Sequence, residues 1–342
     1  MSLPVEPPFL PMEAETAMKI PSGPEWQYEP KWDGFRCLAF RDGEHVELQS
    51  KAGQPLARYF PELVDGLREL KPKKFVLDGE IVIAEGERIA FDDLLLRIHP
   101  AESRIRKLAK ESPAMLVAFD LLVDEHGKSL VHEPLRERRD LLEYFAARYF
   151  EGHKFVALSP ATHDIDEAKQ WFKTMAGGLD GVVAKNTELP YESGHRAMVK
   201  IKNLRTSDCV VGGFRYASKG KLVGSLLLGL YNDSGLLDHV GFCSSIKSAD
   251  KPEVTRKLEA LIEPPGFTGR APGGPSRWST ERSTQWEPLA PKLVVEVQYD
   301  HFSGGRFRHG TKFLRWRPDK APRQCSIAQV EKESKSPLSL LA

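Results

Sequence analysis

The sequence predicts an α+β domain of antiparallel sheets over residues 1–203, followed by a small all-β barrel over 204–342 that ends in a short tail. Three observations predict it. Before Asn203, strand-like and helix-like segments are mixed without regular alternation, which argues against a βαβ-wound sheet. After Asn203 the pattern changes to short strands separated by turn-rich stretches. The length, 342 residues, suits about two domains.

In chain order, residues 4–24 are rich in Pro and read as a surface lead-in. RCLAFRDGEHVELQS (36–50) reads as a hairpin, with Asp42-Gly43 as its tight-turn signal. FPELVDGLREL (60–70), PLRERRDLLEYFAARYF (134–150) and IDEAKQWFKTMA (165–176) carry apolar residues at helical spacing. FVLDGEIVIA (75–84) and DGVVAKN (180–186) read as short buried strands. In the second domain the strands are DCVVGGFRYA, SLLLGLYN, LDHVGFCSS, LVVEVQYDHF and KFLRWR, with ASKGK and NDSG as turns. One helix, KPEVTRKLEALIE (251–263), has Pro252 in its first turn. Residues 263–276 form a Pro/Gly-rich loop. Five short strands and a helix suit a Greek-key barrel of the OB type, and a generic β-barrel fits the same count.

No stretch approaches ~18 uninterrupted apolar residues, so no membrane span is expected. The N-terminus lacks a basic region and is not a signal peptide. Cys37, Cys209, Cys243 and Cys325 are far apart and without CxxC spacing, which argues against disulfides and zinc and for a reducing cytoplasm. The net charge of +1 hides an asymmetry. Residues 203–342 carry 21 Lys+Arg against 14 Asp+Glu, a net of +7, and the remainder carries −6. Either the second domain tracks a phosphate backbone or it is a soluble domain that leans basic.

Lys200 and Lys202 alternate with Val199 and Ile201, so in a strand both ammonium groups share one face. A phosphate between them would relieve their repulsion, and a solvated edge strand is the other reading. Lys31-Trp32-Asp33-Gly34 places a lysine before a flexible glycine, with Arg36 close by. Such a lysine attacks phosphorus only when unprotonated. Burial and the positive charge of Lys185, Lys200 and Lys202 are expected to lower its pKa, and Gly34 to let a nucleotide approach the backbone. Asp78-Gly79-Glu80 and Asp180-Gly181 put carboxylates in apolar strands, either as Mg²⁺ ligands or as ion-pair partners of the same lysines.

Taken in order, Lys31-Trp-Asp-Gly-Phe-Arg36, Asp78-Gly-Glu80, Phe119-Asp120-Leu121, Asp180-Gly-Val-Val-Ala-Lys185 and Lys200-Ile-Lys202 resemble motifs I, III, IIIa, IV and V of the covalent nucleotidyltransferases. Arg315-Trp-Arg317-Pro-Asp319-Lys320 resembles motif VI, which in that family lies on an OB-fold domain. The resemblance spans Glu29 to Lys320 and is greatest to the small stand-alone ATP-dependent DNA ligases of the bacterial C type. The same core occurs in the ligase module of the bacterial end-joining ligase D. The resemblance implies an adenylation domain followed by the OB-fold. It implies that Lys31 forms a lysyl-AMP phosphoramide, that Glu29 and Arg36 contact the nucleotide, and that Phe119 stacks on adenine with Val183 against the opposite face. Taken alone, Phe119 reads as an ordinary core aromatic, which is commoner than a base stacker. Glu80 and Asp180 would hold the ribose and Mg²⁺, for which Mn²⁺ can substitute, while Lys185, Lys200 and Lys202 would hold the α-phosphate. Arg317 and Lys320 would swing over the nucleotide to orient the outgoing pyrophosphate.

Two positions depart from the family. Asp180 stands where most ligases have Glu, and Lys51, in Ser50-Lys51, stands where they often have Arg, so the charge that would bind nucleotide is kept without the bidentate fork. There is no GxxxxGK[ST] loop for ATP. Lys31 lies too near the N-terminus to leave room for the helical DNA-binding domain of larger ligases. The expected substrates are ATP and nicked double-stranded DNA. The expected setting is DNA repair or recombination, by a monomer, with a DNA end-binding or repair protein as a candidate partner. The rivals are an RNA ligase or GTP-using capping enzyme, and a non-catalytic OB-fold binder.

Overall fold

The computed structural model describes residues 2–86, 88–174, 179–273, 285–331 and 336–341. The chain divides into two compact units, Met1–Asn203 with Ser334–Ala342, and Leu204–Glu333.

The first unit contains β1 (Glu13–Thr16), β2 (Trp26–Lys31), β3 (Phe35–Asp42), β4 (His45–Ser50), α1 (Pro61–Glu69), β5 (Lys74–Glu85), β6 (Arg88–Ile89), α2 (Phe91–Arg97), α3 (Glu102–Glu111), β7 (Ala114–Val123), α4 (Leu135–Tyr149), β8 (Val156–Leu158), α5 (Ile165–Thr174), β9 (Gly181–Asn186) and β10 (Arg196–Lys202). They form two sheets, ordered β1-β10-β9-β2 and β4-β3-β5-β7-β8, with β6 paired to β5. Both are antiparallel in their centres, as expected. The two outer pairs, β1 with β10 and β7 with β8, are parallel. Parallel neighbours need a crossover, which α4 supplies between β7 and β8. The β3–β4 turn is tight, with Asp42 paired to His45 and Gly43 at φ +64°.

The predicted helices are α1, α4 and α5, and the part of the third segment beyond Thr174 falls at 175–176, outside the described residues. Sequence reasoning missed α2 and α3. Six of the ten residues of α3 are charged and it buries only Ile105 and Ala109, too few to set a visible period. The Pro-rich lead-in is not wholly on the surface. Leu3, Val5 and Met12 are buried against Phe40, Val76 and Tyr191, and β1 lies within it.

The second unit contains β11 (Arg205–Tyr216), β12 (Val223–Tyr231), β13 (Leu237–Cys243), α6 (Lys251–Glu259), β14 (Glu287–Pro288), β15 (Val294–Tyr299), β16 (Phe302–Ser303), β17 (Arg306–Phe307) and β18 (Lys312–Trp316). Its main sheet runs β13-β12-β11-β15-β18, all antiparallel, with β14 on β11. The five strands expected from the sequence are all there. The sheet is not a closed barrel: among the described residues its edge strands are linked at the single bridge Cys243–Thr311. The loop after α6 is anchored by buried Phe267, which packs where Gly212 and Gly229 leave no side chain, and 274–276 lie outside the described residues.

One boundary is corrected. The C-terminal tail was expected to end the second domain, but Ser334–Ala342 belongs to the first unit. Leu340 and Leu341 pack against the cluster of Trp32, Val82 and Trp171, so apolar burial decides the assignment.

Candidate active site

The two sheets of the first unit bring most of the predicted residues to one cavity of about 200 Å³. β2 supplies Glu29 and Lys31, and β9, its antiparallel neighbour, supplies Val183 and Lys185 in the register Glu29–Val183 and Lys31–Gly181. β10 adds Lys200, opposite Val183. From the other sheet come Arg36 and Glu80, paired across β3 and β5, and Phe119 of β7. Lys51 follows the β3–β4 hairpin. Lys202 is two residues beyond Lys200 on β10 and does not line the cavity. Nor does Asp180, although it contacts Lys31.

Gly34 has a packing role beside the expected one. A Cβ there would collide with the Ile81 carbonyl oxygen and the Glu80 side chain, so the glycine lets β3 press against β5 beneath Lys31. Gly181, at φ +148°, meets the Ile201 carbonyl in the same way.

The charges are paired closely. Lys31 Nζ donates to Asp180 Oδ2 at 2.5 Å, and the Asp180 main-chain N–H donates to the Lys31 carbonyl at 3.0 Å. Burial pulls the Lys31 pKa down, but the carboxylates of Asp180, Glu80 and Asp33 outweigh it, so the ammonium is held above its ordinary value. This reverses the expectation of a depressed Lys31. The depressed lysine is Lys200, through burial and the like charges of Lys31, Lys51 and Lys202. Burial raises the Glu80 carboxyl to about 7, against the pull of Lys31 and Arg36.

Lys185 Nζ pairs with Glu29 at 2.7 Å, both buried. Phe119 is nearly buried, with Arg36 4.6 Å and Lys185 4.7 Å from its ring centre. The other motif carboxylates pair with arginines rather than with lysines. Asp78 takes two 2.6 Å bonds from Arg36 and one of 2.6 Å from the Tyr191 hydroxyl. Asp120 takes a bidentate pair from Arg138 at 2.8 and 3.0 Å. That leaves Glu80 facing the cavity.

Sequence reasoning missed Met12, Glu13, Ala14 and Met198, which line the same cavity. Glu13 pairs with Lys51 at 2.9 Å, and that contact, with Arg196 and Lys200 nearby, holds its carboxyl below the usual range. No signal marks these residues. β1 is four residues long and reaches the site by pairing with β10, over 180 residues away in sequence.

A sequence model of the ATP dependent DNA ligase domain matches residues 10–202, and one of the ATP dependent DNA ligase C terminal region matches residues 219–320. This chain belongs to the ATP-dependent DNA ligases. It is 45% identical to DNA ligase C1 of Mycolicibacterium smegmatis, covering 97% of this chain and 96% of that one. It is 43% identical to DNA ligase C of Mycobacterium tuberculosis over the same shares. A solved structure from a study of Lig E DNA ligases is 16% identical, covers 90% of this chain and 100% of that one, and has the same fold at a TM-score of 0.54.

In this ligase Arg317 and Lys320 lie just after β18, in the turn that follows it in the second unit. Both pair with Asp208 of β11, at 2.9 and 2.7 Å, a partner no sequence pattern identified. No helix of the described residues is long and apolar enough to cross a membrane.

Proposed function

We propose that this ligase charges Lys31 with AMP from ATP and uses the adenylate to seal nicks bearing a 3′-hydroxyl and a 5′-phosphate. The observation that carries the reading is the convergence of Lys31, Glu29, Glu80, Phe119, Lys185 and Lys200 on one cavity from strands far apart in sequence. A non-catalytic binding module has no need of that convergence.

Lys31 Nζ attacks the α-phosphorus, a phosphoramide bond forms, and pyrophosphate leaves. The AMP then passes to the 5′-phosphate of the nick, and the 3′-oxygen displaces it as the phosphodiester forms. Asp180 is placed to hold and accept the Lys31 proton. Neutralising Asp180 and Glu80 removes most of the attraction that raises the Lys31 pKa and leaves burial, which lowers it, against Asp33 alone. Phe119 and Val183 bracket adenine, Glu29 and Arg36 contact the nucleoside, and Lys51, Lys185, Lys200 and Lys202 hold phosphate oxygens.

The donor chemistry beside Lys31 fits a hard divalent cation, because Glu80 and Asp180 offer oxygens. Among the described residues no cluster of three or more His, Cys, Asp or Glu forms a closed cage. That suits Mg²⁺, which is commonly held by one or two carboxylates and substrate phosphates, with Mn²⁺ as a substitute. When bound, the ion supplies charge neutralisation at the phosphates. Glu80 and Asp180 would hold it.

In this reading the first unit is the adenylation domain and the second, an OB-fold, grips DNA with its excess positive charge. Arg317 and Lys320 act on the outgoing pyrophosphate. The enzyme works as a cytoplasmic monomer in DNA repair, alongside an end-binding or repair protein.

The test is incubation with labelled ATP and, separately, GTP, followed by sealing of nicked duplexes carrying DNA or RNA on each side of the nick. An adduct with ATP and sealing of all-DNA nicks is the expected result. Labelling by GTP alone, or sealing confined to RNA, overturns the reading.

A further inference from the structure

Arg317 and Lys320 converge on a carboxylate from the far side of the second unit's sequence. Arg317 Nη1 donates to both Asp208 oxygens, at 2.9 and 3.1 Å, and Lys320 Nζ donates to Oδ2 at 2.7 Å. Asp319 takes two more of the guanidinium's N–H groups, from Nε at 3.0 Å and Nη2 at 2.8 Å. Asp208 itself is nearly buried and fixed. It sits in β11 opposite Glu296 of β15, and the Gln329 side chain holds its main-chain N–H and carbonyl, each at 3.3 Å.

We propose that Asp208 is a positioning residue for self-adenylation, holding Arg317 and Lys320 side by side so that both address the same departing phosphate group. This rests on the reading that those two residues act in the first step. Without Asp208 the two neighbouring cations lose the carboxylate they share, so Arg317 keeps only Asp319 and Lys320, a long, rotamer-rich side chain, loses its 2.7 Å partner. The carboxylate does not exhaust their donors. A guanidinium has five N–H groups and an ammonium three, so hydrogens remain for an anion. Donors aimed in advance stabilise developing charge without reorganising at the moment of reaction.

The test compares Asp208→Asn, Asp208→Glu, Arg317→Ala and Lys320→Ala in the full chain, measuring single-turnover adenylation, sealing of a nick that already carries 5′-AMP, and melting temperature. Asp208→Asn should slow adenylation at saturating ATP by about tenfold or more, with KM for ATP little changed and pre-adenylated sealing retained. Asp208→Glu, which keeps the charge, should recover part of the loss. Adding Asp208→Asn to the Arg317→Ala/Lys320→Ala double variant should slow adenylation no further. Normal adenylation by Asp208→Asn, beside slow Arg317→Ala and Lys320→Ala, overturns the role of Asp208 alone. Normal adenylation by the Arg317 and Lys320 variants overturns the reading of those residues, and this proposal with it. Equal losses in both steps together with a lowered melting temperature mean that Asp208 is only structural.

Discussion

At the scale of single residues, the site holds Lys31, the proposed nucleophile, protonated. Lys31 faces Asp180 at 2.5 Å with Glu80 and Asp33 nearby, and the acids win over burial. The sequence singled out Lys31 but not the sign of the charge that surrounds it, because Asp180 is 149 residues away. Lys31→Ala is expected to abolish the covalent AMP adduct while leaving the melting curve cooperative, and intact mass after incubation with ATP checks it. A normal adduct in that variant removes Lys31 as nucleophile. Glu80 gives a pH prediction. Its folded-state pKa, about 7, lies above the value of 4.5 for a free Glu, so the folded form prefers the neutral acid. Its contribution to stability is therefore complete below about pH 4.5 and is lost as pH rises through 7. In metal-free enzyme, Glu80→Gln should match wild type near pH 5 and be more stable at pH 8, by on the order of 2 kcal/mol. Parallel pH profiles for the two proteins would contradict the assignment.

At the scale of elements, the strands that carry the motifs were mostly legible, and what they press against was not. Gly34 looked like room for a nucleotide, and it also makes room for the Ile81 carbonyl. Asp78 looked like a candidate for metal or lysine and is held by Arg36, as Asp120 is by Arg138, since bidentate arginine suits a buried carboxylate. β1 escaped notice because a four-residue strand has no period, and its Glu13 reaches Lys51 only through its pairing with β10. Phe119 tests whether a motif residue on β7 serves the ligand or the core. It lines the cavity, yet it is nearly buried and flanked by two cations. Phe119→Ala should weaken ATP binding by roughly 1–3 kcal/mol, the range for base–aromatic stacking. Calorimetric titration of the folded protein decides. Unchanged affinity with a lowered melting temperature would make it a core residue.

At the scale of the whole molecule, charge and packing divide the chain at different places. The +7 excess begins at Asn203 and runs to the C-terminus, but the last residues of that stretch belong with the first unit, where Leu340 and Leu341 pack. A chain ending at Asn203 would therefore lose two things at once, the basic unit and an apolar prop under the cluster that contains Trp32, the neighbour of Lys31. Ending the chain at Glu331 separates them. That variant keeps 19 of the 21 Lys+Arg beyond residue 202, losing Lys332 and Lys335, together with Glu333. It also removes both leucines, whose partial burial is worth about 1–3 kcal/mol. The expected result is a lower melting temperature with the salt dependence of sealing almost unchanged, because phosphate contacts release counterions in proportion to their number. In the full chain, sealing at subsaturating DNA should fall steeply with salt, while self-adenylation in the absence of DNA should fall much less. Sealing that ignores salt would remove the second unit's charge from DNA binding. A salt slope that collapses in the variant ending at Glu331, with no change in melting temperature, would show instead that the tail's lysines grip DNA and that its leucines stabilise nothing.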